Sequence, residues 1–390
     1  MITLIKQAKV YSPDALGVQD ILLAGDRIVR IAPNIELSGD DVVQIDAQEK
    51  IAVPGFVDSL VHIIGGGGEG GFRTRTPEIA ADDIVRAGVT TLVGVLGTDA
   101  VTRTLTNLLA KANALNEIGL SCFCHTGSYQ IPVKTLFNSV QEDLILIDRF
   151  IGVGEVAIAD HRSSQPTLNE LKKLAAEARV GGMLAGKGGV VSVHVGDSPE
   201  GLSLIEQLVE DSDIPISQFY PTHINRNRRL FVTALDYARH GGYIDFTTST
   251  TPELLKQGEI KCSTGLKEAL DAGVPLSRIS FSSDANASLP MFDRSGKFTG
   301  LGIGRISSLW QEVRDAVMQE KLPLEQALPV ITRNPAHILK LTQKGELRAG
   351  ADADLVLLDE ALQPVSVWGR GQALMQNGKL TSIVEEAVFS

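Results

Sequence analysis

Ile51-Ala-Val-Pro-Gly-Phe-Val-Asp58 is an apolar, strand-like run that delivers a histidine, His62, just beyond its end. Alone it decides little, but the pattern recurs. Glu155 lies in Ile151-Gly-Val-Gly-Glu-Val-Ala-Ile158 and His194 in Val190-Val-Ser-Val-His-Val195. His223 follows Phe219-Tyr-Pro-Thr222, and Asp284 follows Ile279-Ser-Phe-Ser-Ser283. In a barrel of parallel strands the C-terminal strand ends meet on one face, where catalytic groups collect. Imidazole and carboxylate are the ligand set for zinc and related divalent ions. Five such groups at strand ends predict a metal-dependent hydrolase.

Outward from this run, strands are expected at 52–58, 90–97, 120–128, 152–159, 189–195, 216–222, 243–248 and 279–283. Helices are expected between them, at 77–87, 105–118, 168–180, 200–210, 230–239 and 307–318. Leu105, Leu108, Leu109, Ala112 and Leu115 recur at helical spacing and make one apolar face. Eight strands alternating with helices predict an α/β fold, a (β/α)8 TIM-like barrel over residues 53–345. A doubly wound open sheet is the alternative. The two ends read differently, as short strands separated by Gly-Asp and Pro-Asn turns. Residues 1–52 and 346–390 are expected to meet as one small β-sandwich domain.

Composition narrows the class. The 390 residues are 43% hydrophobic and 21% charged, as in an ordinary globular protein. A net charge of −11 argues against nucleic acid or an anionic membrane as partner. Three cysteines, Cys122, Cys124 and Cys262, make no disulfide framework. Neither a signal peptide nor an apolar run of membrane-spanning length is read, so the cytoplasm is the expected location.

Further polar groups sit where the strands end. Ile63-Ile-Gly-Gly-Gly-Gly-Glu69 follows His62 directly. Four glycines let a backbone approach a ligand or let a loop move, and Glu69 is placed to anchor a substrate ammonium. Asp160-His-Arg-Ser163, Thr222-His-Ile-Asn-Arg-Asn227 and Ser283-Asp-Ala-Asn-Ala-Ser288 close three strands. Arg162, Arg226 and Ser288 suit carboxylates, since guanidinium binds them in a bidentate way. With Glu69 for an amine, the ligand is amino-acid-like. Thr98 and Tyr129 complete the rim, Tyr129 as a donor to a developing oxyanion. His240 and His337 read as ordinary hydrogen-bonded histidines, a reading also open to His161.

Pro54-Gly-Phe-Val-Asp58, the glycine loop, Asp160-His-Arg-Ser163, Pro221-Thr-His-Ile-Asn-Arg226 and Ser282-Ser-Asp284 resemble the amidohydrolase superfamily. More narrowly, the glycine loop with its glutamate and the Asp-His-Arg-Ser cassette resemble its isoaspartyl (β-aspartyl) dipeptidase family. The resemblance runs nearly end to end, through Gly345-Glu-Leu-Arg-Ala-Gly-Ala-Asp-Ala-Asp-Leu355. It implies hydrolysis of β-aspartyl dipeptides, with His194 and His223 on one metal and His62 and Asp284 on the other. It also implies Asp284 as general base and then acid, Glu69 on the substrate α-amino group, and Tyr129 on the scissile carbonyl. Arg162, Arg226 and Ser288 would hold carboxylates, in a homo-oligomer expected to be an octamer.

Two positions depart from that family. Its first strand ends His-x-His, where this chain reads Leu60-Val-His62, and leucine cannot ligate. Its bridging residue is often a carbamylated lysine; here it is Glu155, whose two oxygens can bridge two ions. One tightly held zinc at Glu155, His194 and His223 is therefore expected, with a weaker second position. Dihydroorotase- or aminoacylase-like chemistry, or a catalytically weakened binding relative, are the alternatives.

Overall fold

The barrel, seen in a computed structural model that describes residues 2–292 and 298–385, is built from eight short parallel strands. They are β1 (Phe56–Val61), β2 (Val89–Gly94), β3 (Ser121–Thr126), β4 (Phe150–Ile158), β5 (Val190–Val195), β6 (Phe219–Thr222), β7 (Ile244–Thr247) and β8 (Ile279–Ser282). The first six form one continuous ladder, and β7 pairs with β8. Ring closure includes three backbone contacts at the top of β1. Val61 bridges Ala285, the Asp284 N–H donates to the Leu60 carbonyl at 3.1 Å, and the His62 N–H donates to the Ala285 carbonyl at 2.9 Å.

Between β6 and β7 side chains replace the ladder. The Asn225 amide donates to the Thr247 carbonyl at 3.0 Å and accepts the Thr247 N–H at 2.8 Å, mimicking a strand. Buried Asp245 accepts hydroxyls from Thr222, Ser280 and Ser282, joining β6, β7 and β8. Burial still pushes its carboxyl up to about 6.

The structure corrects two expected strands. The run at 52–58 is two elements. Ile51–Pro54 pairs antiparallel with Leu355–Leu358 in the terminal sheet, and the barrel strand starts at Phe56. Proline brings no N–H to a ladder. A Cβ on Gly55 would lie 2.1 Å from Thr90 Oγ1, so only glycine fits the joint. Likewise the start of 216–222 is a single turn of 3-10 helix, Ile216–Gln218.

The extra β domain is a nine-stranded sheet from both chain ends, closed over Ile5, Val10, Ile21, Leu23, Leu355 and Trp368. Lys344 locks it to the barrel. Its buried ammonium reaches Asp354 at 2.6 Å, Asp352 at 2.7 Å and the Ser121 hydroxyl of β3 at 2.6 Å. The three cysteines are free and buried. No helix among the described residues is long and apolar enough to cross a membrane.

Candidate active site

A cavity of about 570 Å³ opens at the C-terminal ends of the strands. His62, His194, His223 and Asp284 line it, together with Glu69, Thr98, Tyr129, Arg162, Arg226 and Ser288. Glu155 lies beneath these groups, 1% exposed. All the site residues expected from sequence thus converge on one place.

Two ligand groups share Glu155. In one, Glu155 Oε2 lies 3.4 Å from His194 Nδ1 and 3.5 Å from His223 Nε2. In the other, His62 Nε2 lies 3.3 Å from Glu155 Oε1 and 3.2 Å from Asp284 Oδ1. Among the described residues, Glu155 Oε2 and Asp284 Oδ1 are buried and without a hydrogen-bond partner, a costly condition unless something else satisfies them. A tetrahedral ion with bonds of about 2.0–2.1 Å sets its ligand atoms roughly 3.4 Å apart. Those spacings are the ones present, so the residues fit a pair of divalent cations.

The electrostatics agree. Burial opposes ionisation of Glu155, yet the imidazoles of His194, His223 and His62 around it hold its carboxyl well below the usual range. Burial would lower His62, but Asp284 and Glu155 pull it up to about 10. The carboxylates on either side of this imidazole thus call for a cation. His223 goes the other way, down to about 4, through burial and its neighbour His194. His223 and Asp284 adopt φ of +64° and +52°. Such backbone costs on the order of 1–3 kcal/mol per residue and collects at functional sites. Leu60 is buried beside this group and belongs to neither ligand set.

The recognition wall is on the same mouth. Thr98 Oγ1 donates to Glu69 Oε1 at 3.0 Å, Ser288 Oγ to Glu69 Oε2 at 3.3 Å, and Arg162 Nη1 lies 3.6 Å from Glu69 Oε1. The glycine loop is shaped by close approach. Gly65 takes φ +76°, and a Cβ there would lie 2.3 Å from the Thr76 carbonyl. Tyr129 is buried against His194, its hydroxyl 2.7 Å from Nδ1. His161 and His240 lie on the surface, and exposed His337 lines a separate cavity.

Several contributors escaped the sequence reading. Arg103 is buried and donates to the carbonyls of Ile64, Gly66 and Thr76, pinning the glycine loop. The Thr247 hydroxyl lies 2.5 Å from His223 Nδ1, leaving Nε2 for the ligand group. His125 on β3 is fully buried, with both ring nitrogens unpartnered, and burial pushes it down to about 4. Its ring packs over Gly152, where a Cβ would approach within 3.0 Å. None of the three carried a signal: an arginine after a loop or a histidine inside an apolar strand reads as ordinary.

Comparison with known proteins gives one family. The amidohydrolase family pattern matches residues 51–385. The β-aspartyl dipeptidase of Fervidobacterium islandicum AW-1, solved with β-Asp-Leu, is 43% identical, with a TM-score of 0.91 over 98% of this chain and 99% of that one. The dihydroorotase of Pediococcus pentosaceus is 23% identical over 92% of this chain and 89% of its own length. The dihydropyrimidinase of Brevibacillus agri, 17% identical, shares the fold with a TM-score of 0.69 over 98% of this chain and 96% of that one.

Proposed function

The chain belongs to the amidohydrolase family, and from that premise we propose that it hydrolyses β-aspartyl dipeptides and releases aspartate. It is a hydrolytic enzyme, a metal-dependent dipeptidase. The observation that carries the substrate reading is the wall of the cavity. There a glutamate and an arginine face one another within 3.6 Å, next to the two ligand groups. That pairing matches an ammonium and a carboxylate on one small substrate.

In this reading Glu155, His194 and His223 would hold one zinc ion tightly. His62, Asp284 and Glu155 would hold another more weakly. When bound, such ions lower the pKa of water toward neutrality and polarise the amide carbonyl. The remaining work belongs to the side chains. Asp284 takes a proton from the attacking water at its carboxylate and passes it to the nitrogen of the departing amine. Tyr129 donates its phenolic hydrogen to the scissile carbonyl oxygen as charge builds there. Burial holds its pKa well above the ordinary tyrosine value, so the proton is present to be donated. Glu69, oriented by Thr98, binds the α-ammonium, while Arg162, Arg226 and Ser288 hold carboxylates. The reading extends to a cytoplasmic homo-oligomer, with an octamer as its expected size.

The test is release of free aspartate from β-Asp-Leu in zinc-supplemented buffer, with α-Asp-Leu and a hydantoin as controls. Hydrolysis of the β-linked peptide alone is expected. Turnover of the cyclic amide instead would overturn the reading in favour of dihydroorotase-like chemistry.

A further inference from the structure

Asp160, in the turn after β4, holds two functional groups at once. Its Oδ2 accepts from His194 Nε2 at 2.9 Å and from Arg162 Nη2 at 2.8 Å. Its Oδ1 accepts from Arg162 Nε at 3.0 Å and from the Arg162 backbone N–H at 2.8 Å. The two donors on Oδ2 lie 3.3 Å apart, converging on one oxygen.

The geometry has a consequence on each side. A carboxylate facing Nε2 fixes the proton there, so Nδ1 keeps its lone pair, which meets the Tyr129 hydroxyl at 2.7 Å and lies 3.4 Å from Glu155 Oε2. On the other side the bidentate grip splints the guanidinium over the Tyr129 ring, 5.5 Å from its centroid, with Nη1 turned to Glu69.

Building on the dipeptidase reading, we propose that Asp160 is a positioning residue that serves both metal retention and substrate recognition. One carboxylate sets both the tautomer of a metal-binding imidazole and the angle of the arginine that receives the substrate carboxylate.

The experiment strips the full chain with a chelator and titrates it with Zn2+ against a chromophoric competitor. It then measures kcat and KM on β-Asp-Leu after metal loading. D160A is expected to weaken Zn2+ binding roughly 10–100-fold and to raise KM. R162M is expected to raise KM while moving Zn2+ affinity by less than about threefold, the separation that a merely structural role would not give. D160N, whose amide oxygen still accepts from one donor, falls between, and thermal melts establish that each variant is folded. Parental Zn2+ affinity in folded D160A would overturn the proposal, as would an R162M that loses metal as fully as D160A. The titration reads metal rather than turnover. A parent enzyme that fails on β-Asp-Leu would therefore sink the substrate reading, while the zinc affinities of the variants would still decide whether Asp160 secures the metal.

Discussion

The two ligand groups share Glu155 and are otherwise unlike. The group on β5 and β6 presents two imidazoles, each with its far nitrogen engaged: Asp160 behind His194 and Thr247 behind His223. The group between β1 and β8 presents one imidazole between two carboxylates, and His62 Nδ1, its far nitrogen, has no partner among the described residues. Metal-binding histidines nearly always have that second nitrogen held, which fixes the ring and raises its basicity. The first group is therefore organised before an ion arrives, and the second is organised by it. Leu60 falls on the second side, so the asymmetry of the sequence and that of the hydrogen bonding coincide.

The sharpest way to break the comparison is to remove what the groups share. E155Q keeps the shape but removes the charge at the centre. It should empty both positions and cut turnover by at least about 10³-fold, read by metal analysis beside the aspartate assay. The next test sets the sides against each other. H223N should weaken the tighter zinc at least about tenfold more than H62N weakens it. Equal losses from the two variants would erase the distinction.

A third test works through the floor of the second group. Asp58 Oδ1 accepts the Ser283 N–H at 3.0 Å, stitching β1 to β8 just below His62 and Asp284. Its other oxygen is unpartnered, and burial raises the carboxyl from 3.8 to about 7. The folded value lies above the unfolded one, so the folded chain binds the proton more tightly and stability falls as pH rises through that window. D58N lacks this dependence. Its stability relative to the parent should climb by on the order of 2–3 kcal/mol between pH 5 and pH 8 in urea unfolding, and a flat difference would discard the account. The smallest expected effect comes from restoring the missing imidazole. L60H should move bound metal from about one toward two ions per chain and raise turnover severalfold; unchanged metal content would show that the second group is already complete.

The sequence made the strand ends legible because an apolar run with a histidine or acid at its close has a direction. His62, His194, His223 and Asp284 could be assigned to one rim before any distance was known, with Glu155, inside the β4 strand, beneath them. It hid the joint inside Ile51–Asp58, since strand-like residues run through Pro54-Gly55 without interruption and only pairing partners distinguish the halves. It also hid Asn225 and Asp245, whose roles depend on what lies across a gap between strands. His125 and Arg103 belong to the same class, residues defined by what packs over them. Periodicity tells which face a residue takes, and says nothing of its neighbour across the barrel.

The pairing of Ile51–Pro54 with Leu355–Leu358 has a consequence for the order in which the protein is made. On the ribosome the partner of that edge emerges some three hundred residues later, roughly 15–60 s at ~5–20 residues per second. Throughout that interval the N-terminal strands present an unpaired, β-prone border to every other nascent chain nearby. The catalytic half can be complete while this border is still open. Its hydrogen-bonding row is closed only by the last tenth of the polypeptide.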